Sequence, residues 1–333
     1  MVTLKNIAEK LGVSISTVSA VLNDKKHCYV SEANKKLIIE TAKQMNYTPN
    51  RMSHGIQGLP TNTIGIIASL FSVPISSTLI DLLNKELSKC GFSVLFGDSY
   101  HEKEREKRLI CEFLPRGIDG LLVNSCQSKR ELEDLLGGRI PYVGFSNEFD
   151  GISVTVSKEE GASLAVEHLL TTHQHDAVGF VVNSVKSNLG KYEGYKATLA
   201  KHDISYNQDF CIEYDEHGND LACAAEKVIA LGLKAVFASN DIGAGGLIKQ
   251  LKERGKRIPD DVAVIGFDGL DYVCDLVQPT LTSVRQPMDA VAQKAVELLM
   301  RKLKGERVPD KTYYIEPSLR LGQSCGCKEK GNI

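Results

Sequence analysis

Residues 12–24 read GVSISTVSAVLND, and between positions 14 and 19 four side chains carry hydroxyls: Ser14, Ser16, Thr17 and Ser19. Apolar residues among them keep a helical spacing, with Val18, Val21 and Leu22 at i, i+3 and i+4. Ser and Thr are indifferent helix formers, because they compete for backbone hydrogen bonds and lose rotamer freedom. Their density here therefore asks for a reason other than helix stability. Ser14 is placed to cap the helix N-terminus. Upstream, LKNIAEKLG sets Ile7, Ala8 and Leu11 on one face and ends on Gly12, a residue suited to a left-handed C-cap. Downstream, SEANKKLIIETAKQMNY opens on Ser31 and is expected to turn Leu37, Ile38 and Ala42 inward. Two short helices joined tightly at Gly12, with a third behind them, predict a helix-turn-helix unit over residues 1–48. With Val18, Val21 and Leu22 inward, Ile15, Ser16, Ser19 and Ala20 face outward. A single serine there would read equally well as a cap or as solvated surface. The constellation reads as a DNA-contacting face, since short hydroxyls donate to phosphate oxygens or base edges with little loss of side-chain entropy.

Charge agrees. Residues 1–60 hold eight basic groups against four acids, a balance of +4 that leaves −6 for the remainder of a chain whose total is −2. A basic module on an acidic body implies a polyanionic partner for the module alone. Behind it, Pro49, Gly55, Gly58 and Pro60 mark residues 49–61 as a linker.

From residue 63 the texture changes. TIGIIAS, FSVLFGD, IDGLLVN and IPYVGF read as strands, with helical stretches near 77–89, 102–114 and 129–136 between them. DAVGFVV, FCIEY, KAVFAS and VAVIGF form a second series, separated by helices near 159–171, 190–201, 219–231 and 242–254, and LTSVRQP and a helix over 288–303 follow. Such alternation predicts an α/β body of parallel sheets in two doubly wound lobes with a cleft between them.

No apolar run is long enough to span a bilayer, and the N-terminus carries no basic region followed by an apolar block, so a soluble, cytoplasmic protein is expected. The nine cysteines form no C-x-x-C pair. The closest two, in CGC at 325–327, read as reduced structural thiols, and HQHD at 173–176 reads as a surface turn. Neither is taken as a metal site, because zinc needs four ligands in register. No cofactor is implied. GAGG at 243–246 fails the dinucleotide fingerprint, Ile248 standing where its third glycine belongs, and no Walker loop, G-x-S-x-G or H-E-x-x-H occurs.

VTLKNIAEKLGVSISTVSAVLN, followed by VSEANKKLIIETAKQMNYTPNRMSHGIQG, resembles the DNA-binding head of the lactose-repressor/galactose-repressor family of bacterial transcription regulators. VEHLL, ASNDIGAGGL, IPDDVAVIGFDG and PTLTSVRQP resemble that family's periplasmic-binding-protein-like effector domain. The resemblance implies lobes of about 62–157 plus 287–317 and 158–286 plus 318–333. It assigns phosphate contact or helix positioning to Thr3, Ser14, Thr17 and Asn23, and base reading to Ile15, Ser16 and Ala20. It makes Asn50 and Arg51 the start of a hinge helix and Ile56 an apolar wedge in the minor groove. It also implies effector contacts from Ser72, Ile75, Ser76, Ser146, Lys191, Tyr214 or Asp215, Asn240 and Asp268. In that set a carboxylate such as Asp268 accepts ligand hydroxyls, while Lys191 or Asn240 donates.

Three departures bear on specificity. Ala20 stands where an Arg is frequent, Lys191 where Arg is usual, and Ser146 where Asp is common. Lysine is a point charge and not a planar fork, so it need not read the same ligand. The expected function is a repressor acting as a homodimer on pseudo-palindromic operator DNA, controlled by a small polar effector of sugar type, with no membrane partner. Control by a phosphoprotein partner, or a cleft-binding enzyme with a vestigial head, are the alternatives.

Overall fold

The computed structural model describes residues 2–22, 30–47, 60–69, 74–147, 149–215, 220–328 and 331–332. They divide into two compact units, Met1–Thr61 and Asn62–Ile333.

The first unit holds helices α1 (Leu4–Leu11), α2 (Ile15–Leu22) and α3 (Glu32–Gln44). Thr3 caps α1 reciprocally with Asn6, whose Oδ1 accepts from the Thr3 backbone N–H at 2.9 Å. Gly12 closes the helix at φ 64°, a left-handed conformation that glycine adopts without a Cβ penalty. Ile7, Ala8, Val18, Val21, Ile38 and Ala42 form the core. Leu37 is not part of it. Expected inward, it is 49% exposed, because the helix phase that buries Ile38, Thr41 and Ala42 turns residue 37 out.

The second unit contains two sheets. The first has the order β11-β5-β4-β3-β1-β2, all parallel: β1 (Thr63–Ala68), β2 (Ser93–Asp98), β3 (Gly120–Val123), β4 (Tyr142–Phe145), β5 (Ser153–Val156) and β11 (Thr312–Ile315). The second has the order β13-β12-β10-β9-β8-β6-β7. Its members are β6 (Gly179–Val182), β7 (Cys211–Glu213), β8 (Ala235–Ala238), β9 (Ala263–Asp268), β10 (Thr282–Arg285), β12 (Ser318–Leu321) and β13 (Gly331–Asn332). β12 runs antiparallel to β10, and β13 to β12; the others are parallel.

Central strands such as GLLV, GFVV and AVFA are buried along their whole length, as strands covered on both faces must be. The covering helices are α4 (Pro74–Lys89), α5 (Lys103–Phe113), α6 (Lys129–Leu136) and α12 (Met288–Leu303) for the first lobe. The second lobe has α7 (Lys158–Glu167), α8 (Leu189–Lys201), α9 (Leu221–Ala230), α10 (Asp241–Glu253) and the short α11 (Asp271–Leu276). α7 and α8 approach closely at Gly194, where a Cβ would lie 2.4 Å from the Glu159 carbonyl oxygen. The chain passes between the lobes at 156–158, 285–288 and 315–318.

Candidate functional site

In the head, Ser14 accepts a hydrogen bond from the Thr17 backbone N–H at 3.1 Å, the capping bond expected of it. Its Oγ also lies 2.7 Å from both Ser16 Oγ and Thr17 Oγ1, so three hydroxyls form one cluster at the start of α2. Each hydroxyl has one donor and two lone pairs, so the cluster retains capacity for phosphate oxygens beside the positive end of the helix dipole. Ile15 is 48% exposed and Ser16 is exposed, whereas Thr17, Ser19 and Ala20 are half-buried along the same helix. Thr3 is engaged in capping α1. Asn23, Asn50, Arg51 and Ile56 lie outside the described residues, as does Ser72 in the body.

In the second lobe, β6 has β7 on one side and β8 on the other, so the sheet reverses its winding between β6 and β8. Ligands of doubly wound sheets bind outside the carboxyl ends of strands at such a point. Lys191, from the first turn of α8, is buried and donates from Nζ to the Ser239 carbonyl just past β8 at 2.6 Å. Its ammonium also stands 4.1 Å from the centre of the Phe267 ring. Asn240 caps α10, its Oδ1 accepting from the Gly243 N–H at 2.7 Å, and its amide donates to Tyr214 Oη at 3.0 Å. Only glycine fits at 243, since a Cβ would come 2.2 Å from that phenol oxygen.

Asp268 ends β9, buried, with φ at 125°. A non-glycine residue in that region carries strain of about 1–3 kcal/mol and persists only where its surroundings hold it. Gln286 supplies the hold. Its side-chain amide donates to Asp268 Oδ1 at 2.9 Å and its backbone N–H to the Asp268 carbonyl at 3.2 Å. Gln286 belongs to the passage between β10 and α12, so the carboxylate is tied to a connection between the lobes.

Burial brings the Lys191 ammonium down to about 8, with Asp268 acting against the shift. Burial raises the Asp268 carboxyl above the usual carboxylate range, while Lys191 and Gln286 pull it back. Beside them is Asp241, a fully buried group that sequence reasoning missed. It accepts from the Leu270 N–H at 2.8 Å, from Ser283 Oγ and from Cys274 Sγ, yet burial and the charge of Asp268 still raise its pKa. A folded state that keeps carboxyl protons the unfolded chain has released loses stability as pH rises. Urea unfolding of the ligand-free protein should therefore show stability falling as pH climbs from about 4 through the raised pKa values. Asp241→Asn should flatten that slope. Parallel pH profiles for the two proteins would remove Asp241 as its source.

The remaining expected contacts are distributed differently. Tyr214 is buried and Asp215 half-buried after β7. Ile75 and Ser76 occupy the first turn of α4, with Ile75 packed on the first lobe's core, and Ser146 follows β4 at φ 63°. They belong to the first lobe, where the winding reverses between β1 and β3. There the structure adds polar groups that sequence reasoning did not name. Ser69 donates to Asn124 Oδ1 at 3.1 Å and lies 3.0 Å from His101 Nε2, and Asn124 donates to the Phe145 carbonyl at 3.0 Å. Fully buried Glu106 accepts from Ser125 Oγ and the Cys126 N–H, each at 2.6 Å. Cys126 Sγ is 3.9 Å from His101 Nδ1, but burial and Glu106 push the thiol to about 11, the opposite of an activated nucleophile.

Residues 3–50 match the bacterial regulatory proteins of the lacI family, and residues 166–325 match the periplasmic binding protein-like domain. Over 327 residues the chain is 28% identical to the HTH-type transcriptional repressor PurR of Vibrio cholerae serotype O1 (strain M66-2), covering 96% of both chains. Its fold is similar to that of the lac repressor dimer bound to operator and the anti-inducer ONPF, with a TM-score of 0.86 at 23% identity over 97% of this chain and 99% of that one. It is also similar to a complex of the transcriptional regulator CelR with cellobiose, with a TM-score of 0.69 at 24% identity over 97% of this chain and 100% of that one. Among the described residues no helix is long and apolar enough to cross a membrane. A capped helix-turn-helix head joined to a two-lobed, doubly wound body makes this chain a member of the lactose-repressor/galactose-repressor family, a DNA-binding transcription regulator.

Proposed function

We propose that the protein is a repressor acting as a homodimer on a pseudo-palindromic operator, with a small polar effector, of sugar type, bound between its lobes. Residues 1–48 are the DNA-binding domain, 49–61 the hinge, and 62–157 with 287–317 and 158–286 with 318–333 the two lobes. Ile15, Ser16 and Ala20 read bases, Thr3, Ser14, Thr17 and Asn23 contact phosphates or position the helix, and Ser19 belongs to the same DNA-binding set. Asn50 and Arg51 open the hinge and Ile56 wedges the minor groove. The observation that carries the reading is the bond between Asp268 and Gln286. An effector hydroxyl that draws on this carboxylate acts on a connection between the lobes, so binding and lobe geometry are coupled. The cellobiose in the CelR complex supports a sugar as effector.

Thermal-shift measurements with sugars, sugar phosphates and nucleobases test the effector half, since a ligand of the native state alone raises the Tm. If none does so, and a phosphorylated protein changes operator affinity instead, the effector half falls. Site selection tests the head. Ala20 offers only a methyl group, so its position in the half-site should favour thymine or be read weakly. Ala20→Arg should gain a preference for guanine of about 1–3 kcal/mol through a bidentate pair. Identical selected sequences for both proteins would take Ala20 out of the groove.

A further inference from the structure

Two segments that read separately in the sequence meet in the second lobe. Past Glu167 the backbone of α7 widens into a single π turn, His168–Thr172, in which the His173 N–H donates to the His168 carbonyl. This i→i+5 turn brings two histidines five residues apart onto one side, which an α-helical turn would not do. Their Nε2 atoms are 3.2 Å apart. Across from them, past β12, the CGC segment folds back. Cys325 Sγ lies 3.6 Å from His168 Nε2, and Cys327 Sγ lies 3.4 Å from His168 Nε2 and 3.6 Å from His173 Nε2. All four donor atoms fall within 4.8 Å of one another. Gly326 between the cysteines has φ 106°, and a Cβ there would come 3.2 Å from the His173 ring, so glycine both permits the turn and admits the imidazole.

We propose that His168, His173, Cys325 and Cys327 form a tetrahedral zinc site that fastens the segment after β12 to the end of α7. Zinc bonds of about 2.3 Å to sulfur and 2.0–2.1 Å to nitrogen, at tetrahedral angles, put donors about 3.3–3.8 Å apart. Four of the six donor separations span 3.2–3.6 Å, and the other two fall within 4.8 Å. Two thiolates and two imidazoles are also the chemistry zinc takes in closed, structural sites. A two-iron cluster with the same ligand types would hold its cysteines and histidines on different metals and so farther apart than these distances. Thr282 Oγ1, which donates to the Gly322 carbonyl at 2.9 Å, stands 3.0 Å from Cys325 Sγ and packs that side chain beside His168. The segment joined in this way lies beside the sheet that carries Asp268, and the site has no part in the effector contacts.

The test uses the full chain, purified without chelator and dialysed into metal-free buffer. Elemental analysis should find one zinc per chain. Cobalt(II) exchanged into the site should give the intense visible bands of a tetrahedral ion and sulfur-to-cobalt charge transfer from two thiolates. Removing the metal should lower the Tm by about 5 °C or more. Cys327→Ser and His173→Gln, both at half-buried positions, should lose stoichiometric zinc, and Cys327→Ser should halve the charge-transfer intensity. A folded chain that carries no zinc and gives no thiolate–cobalt bands overturns the proposal. So does zinc retained in full by both variants, or a metal-free chain with Cys325 and Cys327 joined in a disulfide. If a variant does not fold, the cobalt spectrum of the unaltered chain decides alone.

Discussion

A chain lacking residues 1–61 is expected to lose operator binding altogether while its body stays folded. The head has its own core around Ile7, Val18 and Ile38, and the body is a separate compact unit from Asn62 onward. The positive balance of the protein, +4, lies in residues 1–60, whereas the remainder carries −6 and should repel DNA. In the full chain, a dimer making about 6–10 phosphate contacts should lose about 10³–10⁵ in affinity between 50 and 200 mM salt. Fluorescence anisotropy on a selected operator measures both effects, with circular dichroism to verify that the truncated body is folded. DNA binding by that body, or a salt slope near zero in the full chain, would refute the assignment of the head.

Asp268→Ala should abolish the response to effector. Hydrogen bonds to a charged group contribute about 1.5–3 kcal/mol each, so losing this carboxylate should weaken ligand binding ten- to a hundredfold or more. Operator affinity without effector should be unchanged, since DNA is bound by the head. Because Asp268 also holds Gln286, two further variants separate its roles. Asp268→Asn keeps the side-chain shape and an oxygen for Gln286 but removes the charge, and should resemble Asp268→Ala in affinity. Gln286→Ala leaves the carboxylate in place, and should bind effector while releasing operator less completely. Effector titrations monitored by operator release are the measurement. An Asp268→Ala protein that responds at unchanged ligand concentration would make Asp268 a turn residue and no more.

What could be read in advance was what is local. Helix periodicity and caps placed α1, α2 and α3, and uninterrupted apolar runs placed β1, β3, β6, β8 and β9. Leu37 was misplaced because Leu37, Ile38 and Ile39 are consecutive apolar residues, and only packing against α1 and α2 selects which of them turns inward. Strands β5, β11 and β12 were not foreseen. Their sequences SVTV, TYYI and SLRL mix polar and apolar residues, and the link between Ser153 and Thr312 joins positions 159 apart. The same distance in sequence hid parts of the site. Asp241 looks like an ordinary acidic residue in a first helical turn; its buried partners Leu270 and Ser283 stand 29 and 42 positions away. The cysteines of CGC and the histidines at 168 and 173 are 152–159 positions apart, so neither pair shows its complement locally.

The stretch Thr312–Leu321 gives one strand to each sheet, β11 at the edge of the first and β12 inside the second. On the ribosome, neither lobe can finish its sheet until that stretch has emerged, whereas the head needs nothing beyond its own first 61 residues. At about 5–20 residues per second the interval is on the order of 10–50 s. Throughout it, each nascent chain carries a finished head ahead of a body whose two sheets are still incomplete. The head can thus complete its fold before the body does, and that lag is set by strand order.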